Sequence, residues 1–286
     1  MEQRHEGMSK KKYLLIYTVA FLVFSIGVFG IFAANSRSLI WDQDGGTQYY
    51  PYLAYMGQYL RDTLRCFLRG DFHLKLFDFN IGPGSDIGAC IRFHPLDFLS
   101  VFVPVRFTEQ LYHVLTLLRF YLAGLSFSLF AFLWTEPSMY VISGSMAYAF
   151  CGFMLVFGVR HPTYGAALIM LPLVLWGAER MMRKEGWRLF SLAVFTGFVS
   201  NYYFMYMCSL ALFIYALLRY LAMRREGKAG PFLKVFFSMC GAYLLGMGMS
   251  LAILLPIAGR LVSSARISSG VKETVTFLYG DARRCY

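Results

Sequence analysis

Tyr13-Leu14-Leu15-Ile16-Tyr17-Thr18-Val19-Ala20-Phe21-Leu22-Val23-Phe24-Ser25-Ile26-Gly27-Val28-Phe29-Gly30-Ile31-Phe32-Ala33-Ala34 contains no charged side chain. A helix of this length, rising about 1.5 Å per residue, spans the roughly 30 Å hydrocarbon core of a bilayer. Lys10, Lys11 and Lys12 precede the run, and Asn35-Ser36-Arg37 follow it. A secretory leader would have a shorter apolar core and a small-residue cleavage site. Ala33-Ala34-Asn35 imitates such a site, but the length of the run predicts a retained first helix with the amino terminus in the cytoplasm.

Comparable runs recur along the 286 residues, which are 58% hydrophobic and only 15% charged. Soluble domains carry about a quarter charged residues, so the chain reads as an all-α polytopic membrane protein. The formal charge of +11 would suggest nucleic acid in a soluble protein. Here the cations flank apolar segments: Lys10 to Lys12, Arg180 to Arg188, and Arg219 to Lys228. That is the positive-inside pattern, and nucleic acid is not expected as a partner.

Further crossings are predicted at 112–133, 139–158, 164–178 and 235–258. The stretch 189–221 is overlong for one helix, and as one helix it would carry Arg224, Arg225 and Lys228 to the outside. A hairpin turning near Ser200-Asn201-Tyr202 keeps both basic clusters inside, giving about seven crossings. The chain divides into a basic cytoplasmic tail (1–12), a membrane bundle (13–258, including an external loop at 35–111) and the start of an external segment (259–286). The odd number of crossings suggests that the natural protein continues. Six cysteines show no metal-ligand spacing; a Cys66–Cys90 disulfide in the loop is open.

The loop opens with Trp41-Asp42-Gln43-Asp44-Gly45-Gly46-Thr47-Gln48-Tyr49-Tyr50-Pro51-Tyr52. Two carboxylates, a glycine pair and an aromatic cluster thus stand at the membrane surface. Apolar residues at Tyr50, Leu53, Ala54, Leu60, Leu64, Phe67 and Leu68 predict an amphipathic helix in the bilayer interface, with Arg61, Asp62, Arg65 and Arg69 on its wet side. Phe77 to Asp86 is turn-rich and reads as irregular. Leu96–Phe107 is apolar but too short to cross, and reads as a second interfacial or re-entrant piece.

Several motifs in order carry a family resemblance: Trp41-Asp42-Gln43-Asp44-Gly45 with Gln48-Tyr49-Tyr50-Pro51, then Gly82-Pro83-Gly84-Ser85-Asp86, Arg160-His161-Pro162, Leu171 to Arg180, and Ser200-Asn201-Tyr202-Tyr203-Phe204. Together they resemble the amino-terminal portion of the YfhO family of bacterial membrane proteins, whose members are considerably longer. The resemblance implies a GT-C-like helix bundle and an inverting glycosyltransferase that uses a polyprenyl-phosphate-linked sugar. It further implies a cell-envelope polymer such as teichoic acid as acceptor, and work at the outer face of the bacterial cytoplasmic membrane.

Such transfer needs a carboxylate to take the acceptor proton and cations to stabilise the departing phosphate. Asp42 and Asp44 stand where the lipid headgroup would be. Asp44 is favoured because it matches the family's acidic position ahead of Gln48-Tyr49-Tyr50-Pro51; Gly45 and Gly46 would let backbone approach substrate. The bland alternative is an Asp-Gly turn with Asp44 at the positive end of a helix. Gln48 and Tyr49 join the substrate-binding set. Arg160 and His161, in a short external turn, are the first candidates for phosphate contact, against ordinary interfacial anchoring. Arg92 and His94 are second, Arg260 and Arg266 third.

No cofactor is predicted; Asp42 and Asp44 are placed so that they can share a divalent cation, without a complete ligand set. Tyr49, Tyr50, Tyr52, Tyr55 and Tyr59 could stack on sugar rings, although interfacial anchoring is the commoner role of such tyrosines. Gly241, Gly246 and Gly248 read as helix-packing glycines. A transporter or flippase is a second class, disfavoured because the apolar segments hold almost no ionisable residues. A non-catalytic scaffold of envelope assembly is the third.

Overall fold

The computed structural model describes residues 8–81, 84–87 and 94–263. Among them the chain is almost wholly helical: α1 (Lys10–Ala34), α2 (Tyr50–Leu68), α3 (Thr108–Ala131), α4 (Met139–Ala149), α5 (Ala166–Met182), α6 (Arg188–Arg225), α7 (Phe232–Met249) and α8 (Leu251–Ser263). Among the described residues five helices are long and apolar enough to cross a membrane, where about seven crossings were expected: Lys10–Ala34, Val105–Ala131, Pro162–Met182, Arg188–Arg225, counted once, and Phe232–Met249, with none at 139–158. The chain is an all-α polytopic membrane protein.

The burial pattern of α1 is that of a helix facing lipid. Tyr13, Tyr17, Phe21, Ser25 and Phe29, spaced by four, form its one buried stripe, while Leu15, Val23 and Ile26 point outward, each more than 60% exposed. A helix in water would hide such side chains; in lipid they need no protein partner. The buried stripe packs on α3 through Phe120 and Ala123. Two hydroxyls at this seam are paired, that of Tyr13 lying 2.8 Å from Ser128 Oγ and that of Tyr17 donating to the Tyr121 carbonyl at 2.7 Å, whereas buried Ser25 Oγ has no hydrogen-bond partner.

The stretch 188–225 doubles back on itself, as its length and charge predict. Asn201 leaves helical geometry (φ −166°, ψ 96°), and its side-chain oxygen accepts from Phe204 N, capping the second arm. Phe190 on the first arm packs against Gly177, and Arg219 on the second binds Glu179, so both arms lie along α5. Met205 occupies the space that a side chain at Gly197 would take.

Four expectations need correction. Residues 139–158 are not one helix: α4 stops at Ala149, and a π-helical turn follows at Met154–Gly158. The Phe150 ring at the break packs among Phe21, Phe24 and Phe120. The run 235–258 is divided at Ser250 into α7 and α8, where the hydroxyl bonds the Met247 carbonyl and competes with the helix ladder. Of the three glycines in α7, only Gly246 sits at a close contact, against Ser191 O and Val194; nothing lies near Gly241 or Gly248. Arg61 is not on a wet face, because its guanidinium donates to the carbonyls of Ser100 and Val103 at 2.8 and 2.6 Å.

That clamp fastens α2 to the 3₁₀ segment Pro95–Phe102, the short apolar piece of the loop. Phe77–Asp78 and Ser85–Asp86 form a two-strand antiparallel ladder, β1 and β2. Met8 N bonds the Pro137 carbonyl, and Arg183 bonds that of Leu133. The start of α1, the 132–138 link and the end of α5 therefore share one end of the bundle, and the 35–107 loop occupies the other. Cys90, and with it the Cys66–Cys90 pairing, lies outside the described residues.

Candidate functional site

Two π-helical turns deliver the two halves of the site. The first, Gly45–Tyr49, is held by Gly46 N on the Trp41 carbonyl at 2.8 Å. Gly45 is buried against Ile40 and Trp41, with a Cβ there reaching 3.2 Å from the Trp41 side chain. Its missing side chain therefore serves chain packing, not the substrate approach expected of it. The second turn, Met154–Gly158, leads into Arg160 and His161, where His161 N bonds the Phe157 carbonyl. Such wide turns cost helix regularity and cluster at functional sites.

Asp44 occupies the cap position of the first turn but makes no cap bond, so the Asp-Gly capping role is not what its side chain does. One oxygen accepts from Gln48 Nε2 at 2.7 Å, and the other lies 3.6 Å from His161 Nδ1. The same Nδ1 lies 3.3 Å from the Tyr49 hydroxyl. The Asp44 carboxylate remains 41% exposed, whereas the His161 side chain is 15% exposed. The imidazole is held edge-on by Trp41 and Tyr49 and stacked on Tyr164 at 4.8 Å. A neighbouring ring nitrogen next to an accessible carboxylate is an arrangement that can take a proton and pass it on.

Arg160 packs over the Trp41 ring at 5.1 Å. A cavity of about 650 Å³ opens beside it, between the end of α1, residues 36–42 and residues 155–160. Its wall combines Phe32, Leu39 and Val156 with the cations Arg37 and Arg160 and with Asp42. His113 fixes this rim by accepting from Leu39 N at 3.2 Å and meeting the Ser38 hydroxyl at 3.0 Å. The trough thus offers both apolar contact, through Phe32, Leu39 and Val156, and two guanidinium groups, Arg37 and Arg160, that can meet an anion.

Asp42, Asp44, Gln48, Tyr49, Arg160 and His161, far apart in sequence, are thus brought together. His94 is not: it is buried behind them, 1% exposed, accepting Leu96 N at its Nδ1. Burial, and then the Arg119 charge, hold its imidazole well below the usual histidine range and keep it neutral. Arg92, Arg266 and the side chain of Arg260 lie outside the described residues. Among the described residues no three His, Cys, Asp or Glu side chains converge as a metal site.

Three features escaped the sequence reading. Arg37 marks only the end of an apolar run until the fold turns it into the cavity. Asp97 and Arg119 form a buried ion pair at 2.5 Å beneath Tyr49 and Thr163, uniting a loop residue with one in α3. Glu179, fully enclosed in α5, binds Arg183, Arg219 and Tyr215 at the opposite end of the bundle. The helices are therefore less free of ionisable groups than their apolar runs suggest, because each buried charge has a partner from another segment or turn. A signal was available only in the presence of a lone charge within each run.

The profile of the family described as bacterial membrane protein YfhO matches residues 16–280. No match was found among curated proteins or among solved structures.

Proposed function

Because the chain belongs to the YfhO family of bacterial membrane proteins, we propose that it transfers a sugar from a polyprenyl-phosphate donor to a hydroxyl of a cell-envelope polymer such as teichoic acid. The observation that carries this reading is the accessible Asp44 carboxylate beside His161, next to a cavity whose mouth holds Arg37 and Arg160. The polyprenyl chain lies in the apolar part of that cavity and its phosphate meets the two guanidinium groups. Asp44 removes the acceptor proton as the acceptor oxygen bonds to the anomeric carbon with inversion. The bond from that carbon to the phosphate oxygen breaks, and the electron pair leaves with the polyprenyl phosphate, whose charge the arginines stabilise.

His161 keeps the carboxylate oriented and offers the proton a route away, and Gln48 fixes the other oxygen. The site faces the outside of the bacterial cytoplasmic membrane, with the amino terminus within. Lys10 to Lys12 and Arg180 to Arg188 lie at the opposite end of the bundle, and a loop as long as 35–107 translocates largely regardless of its own charge. The test is transfer of radiolabelled sugar from a polyprenyl-phosphate donor to envelope polymer, in membranes with wild-type protein or its Asp44→Asn variant at matched abundance. Loss in the variant is expected. Equal transfer by both would remove Asp44 from the chemistry, and no transfer by either would move the reading to transport or scaffolding.

A further inference from the structure

From the first turn of α2 onward, positions Tyr52, Tyr55, Tyr59 and Asp62 follow one another at steps of three and four, and so share one face of the helix. Part of that face borders a cleft of about 460 Å³, closed on the far side by residues 73–80. The rings of Tyr55 and Tyr59 are stacked at 6.3 Å with 13° between their planes. Both hydroxyls are engaged by the protein: Tyr55 donates to Asp78 Oδ2 at 2.7 Å, and Tyr59 to the Lys75 carbonyl at 3.0 Å. Tyrosines that anchor a protein at the bilayer surface direct their hydroxyls to water and headgroups. These two are turned inward and fixed, which leaves ring surface as what they offer to the cleft.

The polar lining has a definite charge balance. Within the lining Lys75 pairs with Asp78 at 2.8 Å, and His73 is the other basic residue of the wall. The lining carboxylate Asp62 pairs at 2.9 Å with Arg65, which stands outside the lining. The lining lysine is matched by a carboxylate and Asp62 and Asp78 also face the cleft, so an anionic polymer would find no unmatched ammonium or guanidinium group among the lining residues. Gln58 and Asn80 add exposed amides that both donate and accept. Pre-oriented rings, amides and compensated charges suit a ligand with apolar ring faces and many hydroxyls.

We propose that this cleft binds an uncharged glycan segment of the acceptor, laid along α2 with its reactive end toward Gln48 and Asp44. The helix rises about 1.5 Å per residue, so Tyr55 and Tyr59 stand roughly 10–16 Å from Gln48 along the axis, a distance that a short oligosaccharide covers. The direction of the chain rests on the transferase reading; the presence of the cleft and its preference for neutral glycan do not.

The experiment measures binding without donor or turnover. Full-length protein in lipid nanodiscs is titrated with neutral oligosaccharides (glucose, galactose and N-acetylglucosamine oligomers) and, separately, with poly(glycerol phosphate). At least one neutral oligosaccharide is expected to bind, with Kd raised about tenfold or more by Tyr59→Ala. Tyr59→Phe, which keeps the ring, should bind like wild type. Asn80→Ala, a change at an exposed side chain outside the helix, should weaken binding as well and separates loss of the ligand contact from any disturbance of the helix by Tyr59→Ala. Binding of poly(glycerol phosphate) alone, no binding by any neutral oligomer, or affinities unmoved by both Tyr59→Ala and Asn80→Ala would overturn the proposal. Tyr59-dependent binding in a protein that transfers no sugar would instead sink the transferase reading and leave the cleft standing.

Discussion

At one end of the bundle Glu179 is wholly enclosed, with Arg183, Arg219 and Tyr215 around its two oxygens. Trp134 lies against both guanidinium groups, 4.9 and 4.6 Å from its ring centroid. At the other end Asp44 is half in water, with Gln48 on one oxygen and a ring nitrogen 3.6 Å from the other. The first carboxylate has its partners on all sides and holds the end of α5 to the second arm of α6. The second has room for one more partner, and an incoming hydroxyl is what an accessible base can accept. How completely each is surrounded separates a carboxylate built into the scaffold from one open to a further partner, which is the place that the proposed transfer gives to Asp44.

The contrast can be broken most decisively at its chemical end. Asp44→Asn should lower sugar transfer by about 10²–10⁴-fold, the usual worth of a general base, with no change in detergent melting temperature. A matching drop in melting temperature would show that Asp44 is structural as well. Glu179→Ala should do the reverse. It strands two partly exposed cations, Arg183 and Arg219, at a cost of about 1–3 kcal/mol in stability, read as early unfolding in thermal scans, while transfer per folded molecule is preserved.

Smaller changes sharpen the picture. Arg37→Ala should reduce kcat/KM for the lipid donor by about tenfold, as expected for one charge-assisted contact, and leave the neutral-oligosaccharide affinity of the α2 cleft unchanged. The smallest effect concerns pH. His94 is neutral in the fold, with its affinity for protons depressed, whereas in the unfolded chain it takes up a proton near pH 6.5. Its contribution to stability is therefore complete above about pH 6.5 and declines as the pH falls below that value, by at most about 1.4 kcal/mol per pH unit. Melting curves between pH 7 and pH 5 for wild type and His94→Gln should converge as acid is added.

How much of this is legible in the sequence follows from the solvent. Lipid makes the exposed face of a spanning helix apolar, so α1, α3 and α5 are visible as runs, and the excessive length of 188–225 with its basic end betrays the turn at Asn201. Asp44 and the Arg160-His161 turn are visible because charge just outside an apolar run is conspicuous. The helix breaks at Phe150 and Ser250 are not, since they are set by one ring in an aromatic cluster and one hydroxyl on a carbonyl. Nor are the pairs Asp97–Arg119 and Glu179–Arg219, because nothing in a linear chain tells a buried charge which distant residue will meet it.

The distance in sequence between the halves of the site also sets a schedule for its assembly. Asp44 and Tyr49 emerge early, whereas His161 comes more than a hundred residues later, and the Asn201 side chain that steadies this turn through the Thr163 carbonyl later still. At the usual pace of synthesis, roughly 5–20 residues per second, the carboxylate waits for several seconds at the membrane surface without its imidazole neighbour. A nascent chain carries only half of the constellation during that interval, so its first helices enter the membrane before the two halves of the candidate site have met.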